Sequence, residues 1–177
     1  MKTVATIEAR MTSSRLPGKV LLSAAGKTML QHLIDRLKLV PELDEIVLAT
    51  TTNVQDDELV DVANNNQIKY FRGSEEDVLG RVLEAAKSVN ADTIVEITAD
   101  CPVIDSGIIS QCIKMYYVHD CDYASNAIHR CYPDGMDVQV FSVKTLEETS
   151  KLTLDPLDRE HVSLYIKNHP DTYKQIH

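Results

Sequence analysis

Tryptophan is missing from the 177 residues, and no apolar run approaches the ~20 residues that a bilayer span requires. With 44% hydrophobic and 25% charged residues, the composition is that of an ordinary globular protein with no membrane partner. Cationic excess is also lacking. The formal net charge is -9 and the isoelectric point is near 5.1, which argues against nucleic acid as a partner, because phosphate backbones are met by basic faces. Close cysteine pairs of the zinc-binding kind are absent: Cys101, Cys112, Cys121 and Cys131 stand far apart and are expected to be buried free thiols. Met1-Lys2-Thr3-Val4 leads straight into strand-like sequence with no apolar leader segment, so a cytoplasmic location is expected. Repeats, linkers and low-complexity segments are lacking too. One domain over residues 1–177 is therefore expected, large enough to bury roughly 70% of its unfolded surface.

What the chain does have is a local reversal of charge. The β-type run Thr3-Val4-Ala5-Thr6-Ile7 feeds a loop in which Arg10, Arg15, Lys19 and then Lys27 occur with no acidic residue between Ala9 and Lys27. Pro17 fixes one backbone turn and Gly18 frees the next, so that N–H groups and cations can converge on phosphate oxygens. By itself such a group of cations is equally a solvated basic loop. Its position carries more weight, since ligands of open α/β sheets bind at the carboxyl ends of strands and this loop leaves the first strand. Gly26-Lys27-Thr28 does not make a Walker-type loop, because that pattern needs glycine where this chain has Leu21.

Beyond the loop, strands and helices alternate, which predicts an α/β fold. Met29, Leu30, Leu33, Ile34 and Leu37 predict a helix ended by Pro41, and Glu45–Thr50 reads as a strand covered on both faces. Asp56 and Asp57 stand at the start of the next helix, and Ile68–Phe71 is a short strand. Ser74 is expected to cap the helix carrying Val78, Leu79, Val82, Leu83 and Ala86. A strand over Asp92–Thr98 delivers Asp100, a carboxylate placed either to hold a hard divalent cation or simply to cap the turn with Pro102. Asp105 opens a helix. Asp120-Cys121-Asp122 has the form of a glycosyltransferase metal motif but precedes the strand Tyr123–Asn126, so it is read as a turn. Asp134-Gly135 and the strand Val138–Phe141 read as a hairpin edge, a helix follows from about Val143 to Lys151, and Asp155-Pro156 starts the last helix.

Ala9-Arg10-x-x-Ser13-Ser14-Arg15-Leu16-Pro17-Gly18-Lys19-Val20-Leu21 resembles the amino-terminal signature of the cytidylyltransferases that activate acidic sugars, of the sialic acid and 3-deoxy-manno-octulosonate type. The spore-coat-polysaccharide branch is most alike, through Tyr132-Pro133-Asp134-Gly135-x-Asp137-Val138. The likeness runs from about Val4 to about Lys167. It implies a three-layer α/β/α, Rossmann-like fold with a mainly parallel mixed sheet. It also implies transfer of CMP from CTP to an acidic sugar, with Mg2+ as cofactor and a homodimer as the assembly. Arg10, Arg15, Lys19 and Asp100 are then the catalytic candidates, and Asp100 and Asp137 the metal ligands. Ala9, Ser13, Lys27, Arg72, Ser74, Thr98, Asp134 and His161 are implied to bind substrate, with Arg72 reading the base; His129 and Arg130 are weaker candidates for the acidic sugar. Ala99 stands where the family usually has glycine. Relatives continue several tens of residues past the position of His177, so the chain is expected to lack that extension. A glycosyltransferase of the same layered architecture, and a non-catalytic nucleotide-binding module, stay open as alternatives.

Overall fold

The computed structural model describes residues 1–129 and 131–177. In chain order come β1 (Thr3–Glu8), a single 3-10 turn, the small hairpin β2 (Ser23–Ala24) and β3 (Lys27–Thr28), and α1 (Met29–Leu37). Then follow β4 (Glu45–Thr51), α2 (Asp57–Asn65), β5 (Lys69–Gly73), α3 (Val78–Ser88), β6 (Thr93–Thr98) and α4 (Ser106–Val118). The last part holds β7 (Tyr123–Ser125), β8 (Gln139–Ser142), α5 (Val143–Leu152), α6 (Pro156–Glu160), α7 (Leu164–Asn168) and β9 (Gln175–Ile176).

Among the described residues seven strands make one sheet in the order β5-β4-β1-β6-β8-β7-β9, with only β8 running against the rest. The chain starts in the middle at β1, winds outward through β4 and β5, and returns to lay β6 on the other side of β1. That reversal makes the carboxyl ends of β1 and β6 a topological switch point, the crevice where ligands of such sheets bind.

Alternation along the strands builds the layers. Ala5, Ile7, Leu48, Val95 and Ile97 face α1, α2 and α4, where Leu30, Leu33, Ile34, Leu37, Leu59 and Ile113 complete one fully buried core. Val4, Val47, Ile94 and Phe141 face α3, α5 and α7, closing a second core around Leu79, Val82, Leu146 and Ile166. Full burial of each such aliphatic chain stabilises by about 1.5–3 kcal/mol. α1 starts where it does because the Thr28 hydroxyl accepts from the Gln31 N–H at 3.1 Å.

The three-layer, mainly parallel architecture expected from the likeness is observed. Several local expectations are corrected. Ser74 caps only the turn before α3, accepting from the Asp77 N–H; the helix itself is capped by Asp77, which accepts from Gly80. β8 is no edge: it is inserted between β6 and β7, because Val138, Val140 and Phe141 are apolar on both faces and need cover on both. The expected last helix is split into α6 and α7 at His161. Of the cysteines, Cys101 and Cys112 are buried, whereas Cys121 is half-buried and Cys131 exposed. Asp120 to Asp122 form a turn, with Asp120 at φ 42°. Among the described residues no helix is long and apolar enough to cross a membrane.

Candidate active site

The loop after β1 is shaped by buried anchors. Gly18 adopts φ 70°, a conformation that favours glycine, and its N–H donates to the Met11 carbonyl at 2.9 Å, closing residues 11–18 on themselves. The Met11 N–H donates in turn to Oδ1 of Asp56, at 2.7 Å. Asp56 is fully buried and also accepts from the Thr51 N–H and hydroxyl, so the loop is tied to the end of β4. Glu75 makes a second tie, accepting from Arg10, from Thr12 and, at 2.6 Å, from the Asn53 side chain. The hydrogen bonds from Thr12 and Asn53, then the Arg10 charge, hold its carboxyl below the usual range.

This loop forms one wall of a cleft of about 240 Å³ at the switch point. Ala9, Arg10, Ser13, Arg15 and Lys19 line that wall, while Thr98 and Asp100 come from the end of β6 and His161 from the break after α6. Eight of the proposed site residues thus converge. Lys19 Nζ lies 2.6 Å from Asp100 Oδ2, joining the basic loop to the β6 end. Burial works against the ionised Asp100, but the hydrogen bonds from Lys19 and Thr98 prevail and keep its carboxyl below the ordinary aspartate range.

The other candidates are absent from this lining. Lys27, on the β2–β3 hairpin, pairs with Asp35 at 2.5 Å. Arg72 spends its fork on protein groups: Nε donates to the Thr51 carbonyl, Nη2 to the Asn53 carbonyl, and Nη1 to Asp57. Ser74 is engaged in the turn before α3. Asp134 is exposed in the loop between β7 and β8, and Asp137 is half-buried just before β8. The charge of Asp137 nonetheless acts on the Cys101 thiol together with that of Asp100. Among the described residues no group of three or more His, Cys, Asp or Glu is gathered to hold a metal by itself. Arg130 lies outside the described residues.

A match to a whole-family model decides what this cleft belongs to: residues 4–177 fit the cytidylyltransferase model. The chain belongs to the cytidylyltransferase family. The spore coat polysaccharide biosynthesis protein SpsF of Bacillus subtilis is 33% identical over 175 residues, covering 95% of this chain and 71% of that protein. A 3-deoxy-manno-octulosonate cytidylyltransferase of Solibacter usitatus is 34% identical over 140 residues, 77% of this chain and 53% of the relative. The solved cytidylyltransferase from Leptospira borgpetersenii superposes with a TM-score of 0.95 at 34% identity, covering 99% of this chain and 75% of that one.

In this cytidylyltransferase three charged groups, two lining the cleft and one just beside it, were not singled out by the sequence. Arg81 on α3 is 4% exposed; its Nη1 donates to the carbonyls of Ser74 and Glu75, and its Nε has no partner. An arginine inside the apolar stripe Val78–Ala86 was the signal to find it. Glu8 and Glu96 are the others, at inward positions of β1 and β6 where the alternation asks for an apolar side chain. Burial, then the neighbouring Glu96, drives the Glu8 carboxyl well above its usual range, while Arg81 opposes. Burial pushes Glu96 up to about 7. The segment carrying His161 is positioned by Arg159, whose Nε and Nη2 grip both oxygens of Asp77 at 2.8 and 2.5 Å.

Proposed function

We propose that the chain moves CMP from CTP to an acidic sugar acceptor, releasing pyrophosphate, in the synthesis of a surface polysaccharide. The observation that carries this is the convergence of Arg10, Arg15 and Lys19 with Asp100 at the switch point, in a chain otherwise strongly acidic. Support for the acceptor comes from the relatives, one a spore coat polysaccharide protein and one a 3-deoxy-manno-octulosonate cytidylyltransferase.

An acceptor oxygen attacks the α-phosphorus in line with the departing pyrophosphate, so the protein's work is positioning and neutralisation of charge. Arg15, exposed at the loop tip, and Arg10, held by Glu75, meet the triphosphate. Lys19 exchanges its contact with Asp100 for phosphate oxygens. Ser13 and the Ala9 backbone lie against the nucleotide, and His161 faces the acceptor side. Asp100 and Asp137 fit magnesium as hard oxygen donors: Asp100 is half-exposed at the cleft, and Mg2+ usually takes one or two carboxylates with waters and substrate phosphates. Magnesium, when bound, supplies Lewis-acid stabilisation of charge on phosphate oxygens. The reading includes a cytoplasmic location and, on the family likeness alone, a homodimer, whose assembly sedimentation tests.

The glycosyltransferase alternative loses support from the place of Asp120 and Asp122. They precede β7, at the end of the sheet away from the cleft, where Asp122 Oδ2 accepts from the Lys174 N–H at 2.9 Å. The deciding experiment measures pyrophosphate release from CTP, UTP, GTP, ATP and dTTP with magnesium and a panel of acidic sugars. Release confined to CTP with one acceptor is expected. CTP binding without release from any pair would overturn catalysis in favour of a binding module.

A further inference from the structure

Beside the nucleotide cleft lies a second cavity of about 360 Å³, which shares Glu8, Thr98, Glu160 and His161 with it. Its floor is unusual for a polyol site. Glu96 is only 5% exposed and lines the cavity, yet its Oε2 has no hydrogen-bond partner; Oε1 of the neighbouring Glu8 is equally without one. Both carboxylates stand on the face of the sheet that looks toward α3 and the α6–α7 segment. Arg81 is the cation whose charge acts on Glu8, and it is one positive charge against two carboxylates.

A buried carboxylate oxygen without a partner is costly, and it persists where a ligand completes it; Ser163 serves Glu96 but leaves Oε2 unmet. We propose that this cavity takes the acceptor through a protonated amine seated between Glu8 and Glu96, so that the acceptor is an amino-substituted sugar acid. This rests on the cytidylyl-transfer reading above. A primary ammonium offers three donors and no acceptor, matching the orphaned oxygens Glu8 Oε1 and Glu96 Oε2 and restoring the missing positive charge. A neutral hydroxyl offers one donor and leaves the second carboxylate uncompensated. A divalent cation would want further hard ligands, and although Glu160 and His161 also line the cavity, no three acidic or imidazole groups among the described residues are gathered closely enough to hold one. The same lining carries Lys167 and His161, groups suited to the acid end of the same acceptor. Burial displaces both carboxyls upward, that of Glu8 also through its neighbour Glu96, as expected where compensating charge is short.

The test uses 3-deoxy-manno-octulosonate and analogues in which one hydroxyl at a time is replaced by an amine, plus the N-acetyl form of each amine. With CTP and magnesium, one amine analogue is expected to exceed its hydroxyl parent in kcat/KM by about tenfold to a hundredfold, the range of a charge-assisted hydrogen bond, and its N-acetyl form to lose that gain. In Glu96→Gln, and separately in Glu8→Gln, the ratio of amine to hydroxyl should fall toward one; two isosteric variants guard against misfolding of either. Turnover of the hydroxyl acid with no amine preferred overturns the inference and leaves cytidylyl transfer standing. If no acid supports pyrophosphate release, cytidylyl transfer fails instead. Calorimetry of the same analogues then decides the cavity, and equal or absent binding of amine and hydroxyl forms refutes it.

Discussion

Replacing Asp56 by alanine should loosen the nucleotide loop without touching a single residue of the cleft lining. The carboxylate is fully buried and accepts from the Met11 N–H at 2.7 Å, the Thr51 N–H at 3.2 Å and the Thr51 hydroxyl. Alanine strands all three donors. Each buried donor left unmet costs about 1–3 kcal/mol, and water can reach the half-buried Met11 end, so the total should be about 3–5 kcal/mol. That is a large part of the 5–15 kcal/mol that typically holds a domain together. Asp56→Asn keeps one acceptor oxygen and should cost about 1–2 kcal/mol. Urea unfolding followed by circular dichroism reads the stability, and calorimetry with CTP reads the loop, where affinity should drop about tenfold or more in Asp56→Ala because Arg10, Arg15 and Lys19 lose their common anchor. The adjacent Asp57→Ala is the control: it removes the same charge, but from an ion pair with Arg72 in which Asp57 is 59% exposed, worth about 0–1 kcal/mol. Asp56→Ala that matches Asp57→Ala in both stability and CTP affinity would refute the reasoning.

Lys19→Ala should lower kcat for pyrophosphate release about a hundredfold or more, as loss of a preorganised charge donor does elsewhere, while the melting temperature stays nearly unchanged because the pair with Asp100 is partly solvated; near-wild-type turnover would remove the loop from the chemistry. Glu8 and Glu96 predict a pH effect on the ligand-free protein. Their folded pKa values are raised, so between the unfolded value near 4.5 and about 7 the native state holds more protons than the unfolded one, and stability is lost as pH rises through that window. The limiting slope is about 1.4 kcal/mol per pH unit for each proton; thermal melts at pH 5 and 7.5 should show the fall, and Glu96→Gln should flatten it. In Gly80→Ala the added methyl would press on the Asp77 carboxylate, which caps α3 and receives Arg159. Helix propensity favours alanine by about 1 kcal/mol, but the steric conflict should win and lower stability by about 1–3 kcal/mol, read by chemical unfolding; a stabilised variant would show that the cap can shift freely.

Much of this fold could be read from periodicity. α1, β1, β4 and β6 announce themselves because their apolar positions repeat at helical or strand spacing and their partners lie on both faces. β8 was misjudged as an edge because pairing order is a long-range property that no local pattern states. The basic loop was legible from charge alone, since four cations without an acid are conspicuous in a chain of net charge -9. The partners of Arg72 were not: a guanidinium beside a strand end suits base recognition and backbone carbonyls alike, and its contacts with Thr51 and Asn53 depend on how β4 and β5 lie together. Glu8 and Glu96 were visible as polar interruptions of apolar alternation. Their significance emerged only once β1 and β6 were seen to be neighbours, with Glu8 level with Thr98.

The reversed direction of β8 has a consequence for how such an enzyme can diversify. β7 ends, and β8 begins, at the same end of the sheet as the cleft, and Ala127, just past β7, lines the acceptor cavity, while the register of Ser125 against Gln139 is set independently. Lengthening a loop is entropically cheap, each doubling adding only about 0.6 kcal/mol. Insertions there could therefore re-tailor which sugar is accepted, leaving the sheet and the CTP-binding wall as they are. Loop grafting between relatives at this one connection is the natural route to exchanging acceptor preference.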